Sequence, residues 1–192
     1  MLGCQYSYIS QWVHGSIMPD LNKWIELYRS DKHQIKIRAA QSLLQRSDAP
    51  LWALLDILDN LSHEGLGAPA ERVLLGRRDF ELFGEMIVRL NSNDNFIREV
   101  ACNILGQFGN HAATQHLLKM INDPHIMVRR AACLALAHLK DRSAIPELER
   151  QLLARQNDDT NVVWALKSAI RSLRDDTKKN QIRQGENLGS RD

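Results

Sequence analysis

The chain is poor in cysteine and in β-branched residues, carries no excess of one charge, and has no long hydrophobic run. Three cysteines, Cys4, Cys102 and Cys133, cannot close into pairs, so a disulfide framework is excluded and a reducing cytoplasm is the expected setting. Val and Thr together supply 10 residues against 27 Leu and 17 Ala, which leaves little for a sheet and much for helices. Lys and Arg number 25 against 23 Asp and Glu, a formal charge of +2. A strongly electrostatic nucleic-acid binder is usually markedly basic, so nucleic acid is an unlikely partner. No apolar stretch is long enough to span a bilayer, so no membrane segment is expected. Residues Met1 to Met18 hold no Lys or Arg and no apolar core, and do not read as a secretory signal. Met18 precedes the first helical pattern and is a candidate alternative start.

What the sequence does contain is a repeat. Its clearest copy is Val128-Arg129-Arg130-Ala131-Ala132-Cys133-Leu134-Ala135-Leu136. Stepping back 31 residues gives Ile97-Arg98-Glu99-Val100-Ala101-Cys102-Asn103-Ile104-Leu105. The same step gives Leu66, Ala70 and Leu74, then Ile35-Lys36, Ala39 and Leu43; a step forward of 34 gives Val162, Leu166 and Ile170. Anchors therefore fall at 35, 66, 97, 128 and 162. Ahead of each anchor lies a second apolar stripe with helical spacing, as in Trp24, Ile25, Leu27 and Tyr28 or Leu117, Leu118, Met120 and Ile121. Ser30-Asp31, Ser92-Asn93-Asp94 and Asn122-Asp123-Pro124 supply the turns between. Gly65, Gly67 and Pro69 make the second copy irregular, and the fifth carries three extra residues near Gln156 to Thr160.

One helix pair cannot cover its own apolar face, so neighbours must stack. The expected fold is all-α, a right-handed α-solenoid (an α-α superhelix) of about five helix pairs. Residues 1–18 are read as an N-terminal extension or partial cap, 19–175 as the array, and 176–192 as a disordered polar tail. Ile9, Trp12 and Val13 are the residues available for a capping helix.

The motif Val128-Arg129-Arg130-Ala131-Ala132, with Leu136, Leu139 and the preceding Asn122-Asp123-Pro124, resembles a HEAT repeat. The short period is similar to that of the bacterial HEAT-like repeats of phycobilisome bilin lyases. The resemblance implies an α-solenoid that serves protein–protein recognition. It also implies that the basic residue after the anchor (Lys36, Arg98, Arg129) sits at the seam between repeats and pairs with turn residues such as Asp94 or Asp123.

Candidate chemistry is sparse. His111 and His116 are five apart, off the spacing that presents two ligands on one helix face. His63-Glu64 invites comparison with the HEAT-like di-iron hydroxylases, but the positions following Arg98 and Arg129 are Glu99 and Arg130. Neither a metal nor another cofactor is expected. Cys102 and Cys133 share one repeat position on neighbouring helices and read as buried thiols. Trp24 and Trp52 are assigned to the core, whereas Trp164 lies about 200° from its anchor and is expected to point outward.

Second helices line the inner surface of such solenoids, and three rows of residues are expected to face out from them. They read Ile37, Ala68, Glu99, Arg130, Trp164; then Gln41, Arg72, Asn103, Leu134, Ser168; then Leu44, Leu75, Gly106, Ala137, Arg171. This mixture suits a protein partner better than a phosphodiester backbone. The candidate partner-binding residues are Arg130, Trp164, Arg171, Arg72, Glu99 and Leu134. The expected function is a non-catalytic interaction module that grips a protein on its inner face, with an oligomeric state left open. Small HEAT-repeat proteins of this build also resemble immunity proteins of toxin systems, which implies an immunity or regulatory role. The alternative is a bilin lyase or chromophore-handling subunit.

Overall fold

The computed structural model describes residues 20–77, 79–155 and 160–188, with side chains as far as 175. The extension at 1–18, with Cys4 and the candidate capping residues, lies outside the described residues, as does most of the insertion in the fifth copy. All described regular structure is helical. The helices are α1 (Leu21–Tyr28), α2 (His33–Leu43), α3 (Leu51–Leu61), α4 (Gly67–Leu75), α5 (Phe80–Arg89), α6 (Asn95–Phe108), α7 (Thr114–Met120), α8 (Ile126–Leu139), α9 (Ile145–Ala154) and α10 (Thr160–Leu188). They form the five pairs read from the repeat, α1/α2 to α9/α10, in the manner of a HEAT-repeat α-solenoid. The backbone of α10 continues as helix through 176–188, where the composition reads as a polar tail.

The anchors explain the pairing. Ile35, Ile97, Val128 and Val162 are each the third residue of their helix, and all four are buried, as is Leu66 just ahead of α4. Four residues on, Ala39, Ala70, Ala101, Ala132 and Leu166 are completely buried. The stripe is therefore a true core edge, and each buried aliphatic side chain contributes about 2 kcal/mol. Capping fixes where α1 and α6 begin: Asp20 accepts from the Lys23 amide at 2.9 Å and Asp94 from Phe96 at 2.8 Å, while Asp123 accepts from the His125 amide at 2.8 Å within the turn ahead of α8. Asn110 and Asp141, a further pair 31 residues apart, cap the short 3-10 turns ahead of α7 and α9 at 3.0 Å each. Left-handed residues end three elements: Gly65 (φ 76°), Gly109 (φ 68°) and, unusually, Lys140 (φ 57°).

The fold consists of two compact units, 1–73 and 74–192, divided within α4. In the first, α2 packs on both α1 and α3. Tyr28 donates to Asp56 at 2.5 Å, Asn60 donates to the same carboxylate at 2.7 Å, and the Lys36 ammonium lies 3.5 Å from it and 5.0 Å from the Tyr28 ring centre. Burial, then the Asp56 carboxylate, raises the Tyr28 pKa well above its ordinary value. Trp52 corrects its assignment to the core. It is 45% exposed, tilted against Tyr28 at 6.4 Å, with the Arg29 guanidinium 5.3 Å from its ring centre. Leu51, Leu54, Leu55 and Leu58 occupy the buried side of α3, so the residue after Leu51 falls on the outer flank.

In the second unit α8 lies between α6 and α10, with α5, α7 and α9 as the first helices of each pair. A Cβ added to Gly106 would stand 2.6 Å from the Ala135 Cα, so α6 and α8 meet backbone against backbone. This corrects the placement of Gly106 in an outward row: it is buried. Between repeats, Arg98 grips Asp123 with two hydrogen bonds of 2.7 and 2.9 Å while donating to its own turn at the Ser92 carbonyl, 2.8 Å away. Arg129 likewise donates to the carbonyls of Asp123 and Pro124, at 3.0 Å each. Burial alone would raise the Asp123 pKa, but Arg98 and the His125 amide outweigh it and hold the carboxyl below its ordinary value. Thr114 to Asp141 at 2.6 Å and Arg155 to Asn122 at 2.6 Å complete the links along this unit.

Candidate protein-binding face

Regular pairing places three candidate residues in one register. Glu99, Arg130 and Trp164 are each the fifth residue of their helix, one apiece on the stacked helices α6, α8 and α10. Arg130 and Trp164 are exposed, the indole by 57%, and Glu99 is half-buried. Arg130 makes no ion pair or hydrogen bond among the described residues, so its five donors are available. Leu134 is half-buried one turn further along α8. Arg171 is exposed on α10, two turns beyond Trp164 on the same side. Arg72 is exposed on α4 in the first unit, whereas the other five lie in the second.

Beside Arg171 the structure holds a feature that the repeat pattern missed. An open groove of about 550 Å³ is lined by Leu152, Lys167, Ile170, Arg171, Arg174 and Asp175, between α9 and α10. Arg174 pairs with Glu149 across it. The charge spacing of α10 was visible in the sequence, but the depth of the groove depends on how α9 packs, which the sequence does not display. Exposed apolar residues also occur on the first helices, at Phe80, Val88 and Leu153, and no sequence reading marked them.

The other candidate chemistries resolve into structure. No group of three His, Cys, Asp or Glu side chains able to hold a metal occurs among the described residues. The ring Nε2 of His111 lies 3.1 Å from the Leu139 carbonyl, and Glu64 pairs with His33 at 3.0 Å. Cys102 and Cys133 are fully buried free thiols. Burial pushes the Cys133 thiol up to about 12 and raises that of Cys102 as well, so neither is a nucleophile at neutral pH. No described helix is long and apolar enough to cross a membrane.

Comparison with known proteins adds four observations. A family model described as HEAT repeats matches residues 81–179, just over half of the chain. The fold is similar to that of the complex of CpcE and CpcF of phycocyanin lyase from Nostoc sp. PCC7120, with a TM-score of 0.58 and 19% identity over 83% of this chain and 67% of that one. An engineered protein aligns over 91% of both chains at 18% identity and a TM-score of 0.46. No curated protein sequence matches the chain. The likeness to a lyase complex corrects the expectation of a non-catalytic module: this fold serves in an enzyme, so the architecture gives no ground for setting catalysis aside.

Proposed function

The chain belongs to the HEAT-repeat family, and from that premise we propose that it is a chromophore-handling subunit of the bilin-lyase kind, acting through a complex with a protein partner. The observation that carries this reading is the fold shared with the phycocyanin lyase complex over 83% of the chain. The face formed by Arg130, Trp164, Leu134 and Arg171 supports it. An exposed indole on the same side of the second helices as guanidinium groups with no partner among the described residues is suited both to a protein hot spot and to a flat conjugated molecule that carries carboxylates. Buried, unpaired thiols at Cys102 and Cys133 support a cytoplasmic setting. An immunity or regulatory role, the other expectation, has no observation in its favour.

The test is co-production with a bilin-free phycobiliprotein subunit and a bilin source, with and without a second HEAT-repeat chain. Covalently coloured phycobiliprotein, visible after denaturing electrophoresis, is the expected result. Trp164→Ala and Arg130→Glu should each reduce it about tenfold while leaving the melting temperature nearly unchanged, because both side chains are exposed. Colourless phycobiliprotein under every combination would overturn the lyase reading.

A further inference from the structure

We infer that the groove between α9 and α10 receives an acidic amphipathic segment of the protein partner. Its floor is apolar, formed by half-buried Leu152 and by Ile170 at 7% exposure. Its wall is cationic. Lys167, Arg171 and Arg174 recur at i, i+4 and i+7 and so share one face of α10. Glu149 takes Arg174, which leaves Lys167 and Arg171 with Asp175 as the one carboxylate among the described lining residues. Among the described residues, Lys167 and Arg171 have no ion-pair partner. Trp164 precedes Arg171 by seven residues, about 10 Å along the same helix face. The groove therefore offers an apolar floor, two free cations and an aromatic flank in sequence. A helix with carboxylates beside its apolar stripe matches each element, in the manner of other helix-in-groove complexes. Nucleic acid matches poorly, since Glu149 and Asp175 would face its phosphates.

This inference rests on the reading that the chain grips a protein, but its test needs no lyase activity, so each can fail alone. Two fluorescently labelled peptides with the same leucine spacing, one carrying glutamates and the other lysines, are titrated with the full chain while anisotropy is followed. The glutamate peptide should bind, and its affinity should fall as salt rises. Lys167→Glu with Arg171→Glu should weaken it at least tenfold, and Lys119→Glu, an exposed cation elsewhere, should leave it unchanged. The pair Lys167→Gln and Arg171→Gln, expected to give an intermediate loss, covers the case in which charge reversal unfolds the chain. No binding of the glutamate peptide, equal binding of the lysine peptide, or insensitivity to both double variants would remove the inference. Displacement of the peptide by stoichiometric biliverdin would instead assign the groove to the chromophore.

Discussion

At the scale of single residues, Gly106 has no side chain because α8 leaves it no room. A methyl group there would meet the Ala135 Cα at 2.6 Å, and backbone cannot move aside as a flexible side chain can. Gly106→Ala should therefore destabilise the chain by about 2 kcal/mol, despite the better helix propensity of alanine, as a lowered urea midpoint would show. Lys140 is the opposite case. It holds φ 57° where its counterpart 31 residues earlier is Gly109. A left-handed lysine costs about 1 kcal/mol, so Lys140→Gly should raise the midpoint by up to that amount; a lower midpoint would show that the lysine side chain contributes more than the strain. Neither residue could be read correctly in advance. The rotation of Gly106 about its helix places it outward, and only the distance between two helices, which no single position encodes, turns it inward.

Among the elements, the strongest link is the one that joins repeats three and four through Arg98 and Asp123, both largely buried. Removing one partner strands the other, so Asp123→Ala should cost about 3 kcal/mol. The carboxyl also gives the fold a pH dependence of definite sign. Its folded pKa lies below the ordinary 3.8, so its stabilisation is complete above that value and is lost as the pH falls beneath it. Denaturant midpoints followed from neutral pH down through the carboxylate range should fall, and Asp123→Asn should flatten the fall while lowering the plateau. An unchanged profile would show that other carboxylates govern it. The elements themselves were legible because the 31-residue step puts an anchor, a small residue and an aliphatic residue at fixed places in every second helix. The seam was legible through Arg98 and Asp123 together. Trp52 was not, because α3 already buries five leucines, Ala53 and Ile57 and needs no indole.

For the whole molecule, a charge of +2 conceals an uneven distribution, in which some described cations are tied to turns and others face out without a described partner. Arg98, Arg129 and Arg155 bind turns, whereas Arg130, Lys167 and Arg171, on the second helices, have no partner among the described residues. The candidate face was legible as a register, since Glu99, Arg130 and Trp164 keep the repeat spacing. Its groove was not, because a groove is made by two helices at once. The arginine seam has a further consequence, for where the chain tolerates changes of length. Arg98 holds the carbonyl of Ser92 and the carboxylate of Asp123 together, so it measures both turns. One extra residue between Asn93 and Asp94 would carry the Ser92 carbonyl out of reach of Arg98, which is fixed on α6. That insertion should lower the melting temperature by several degrees, far more than one placed ahead of α10. The fifth repeat has Val163 at the arginine's position, and it is there that the period lengthens from 31 to 34. The second copy, with Gly67 at that position, keeps the step of 31, so the constraint on turn length belongs to the two turns that Arg98 itself holds.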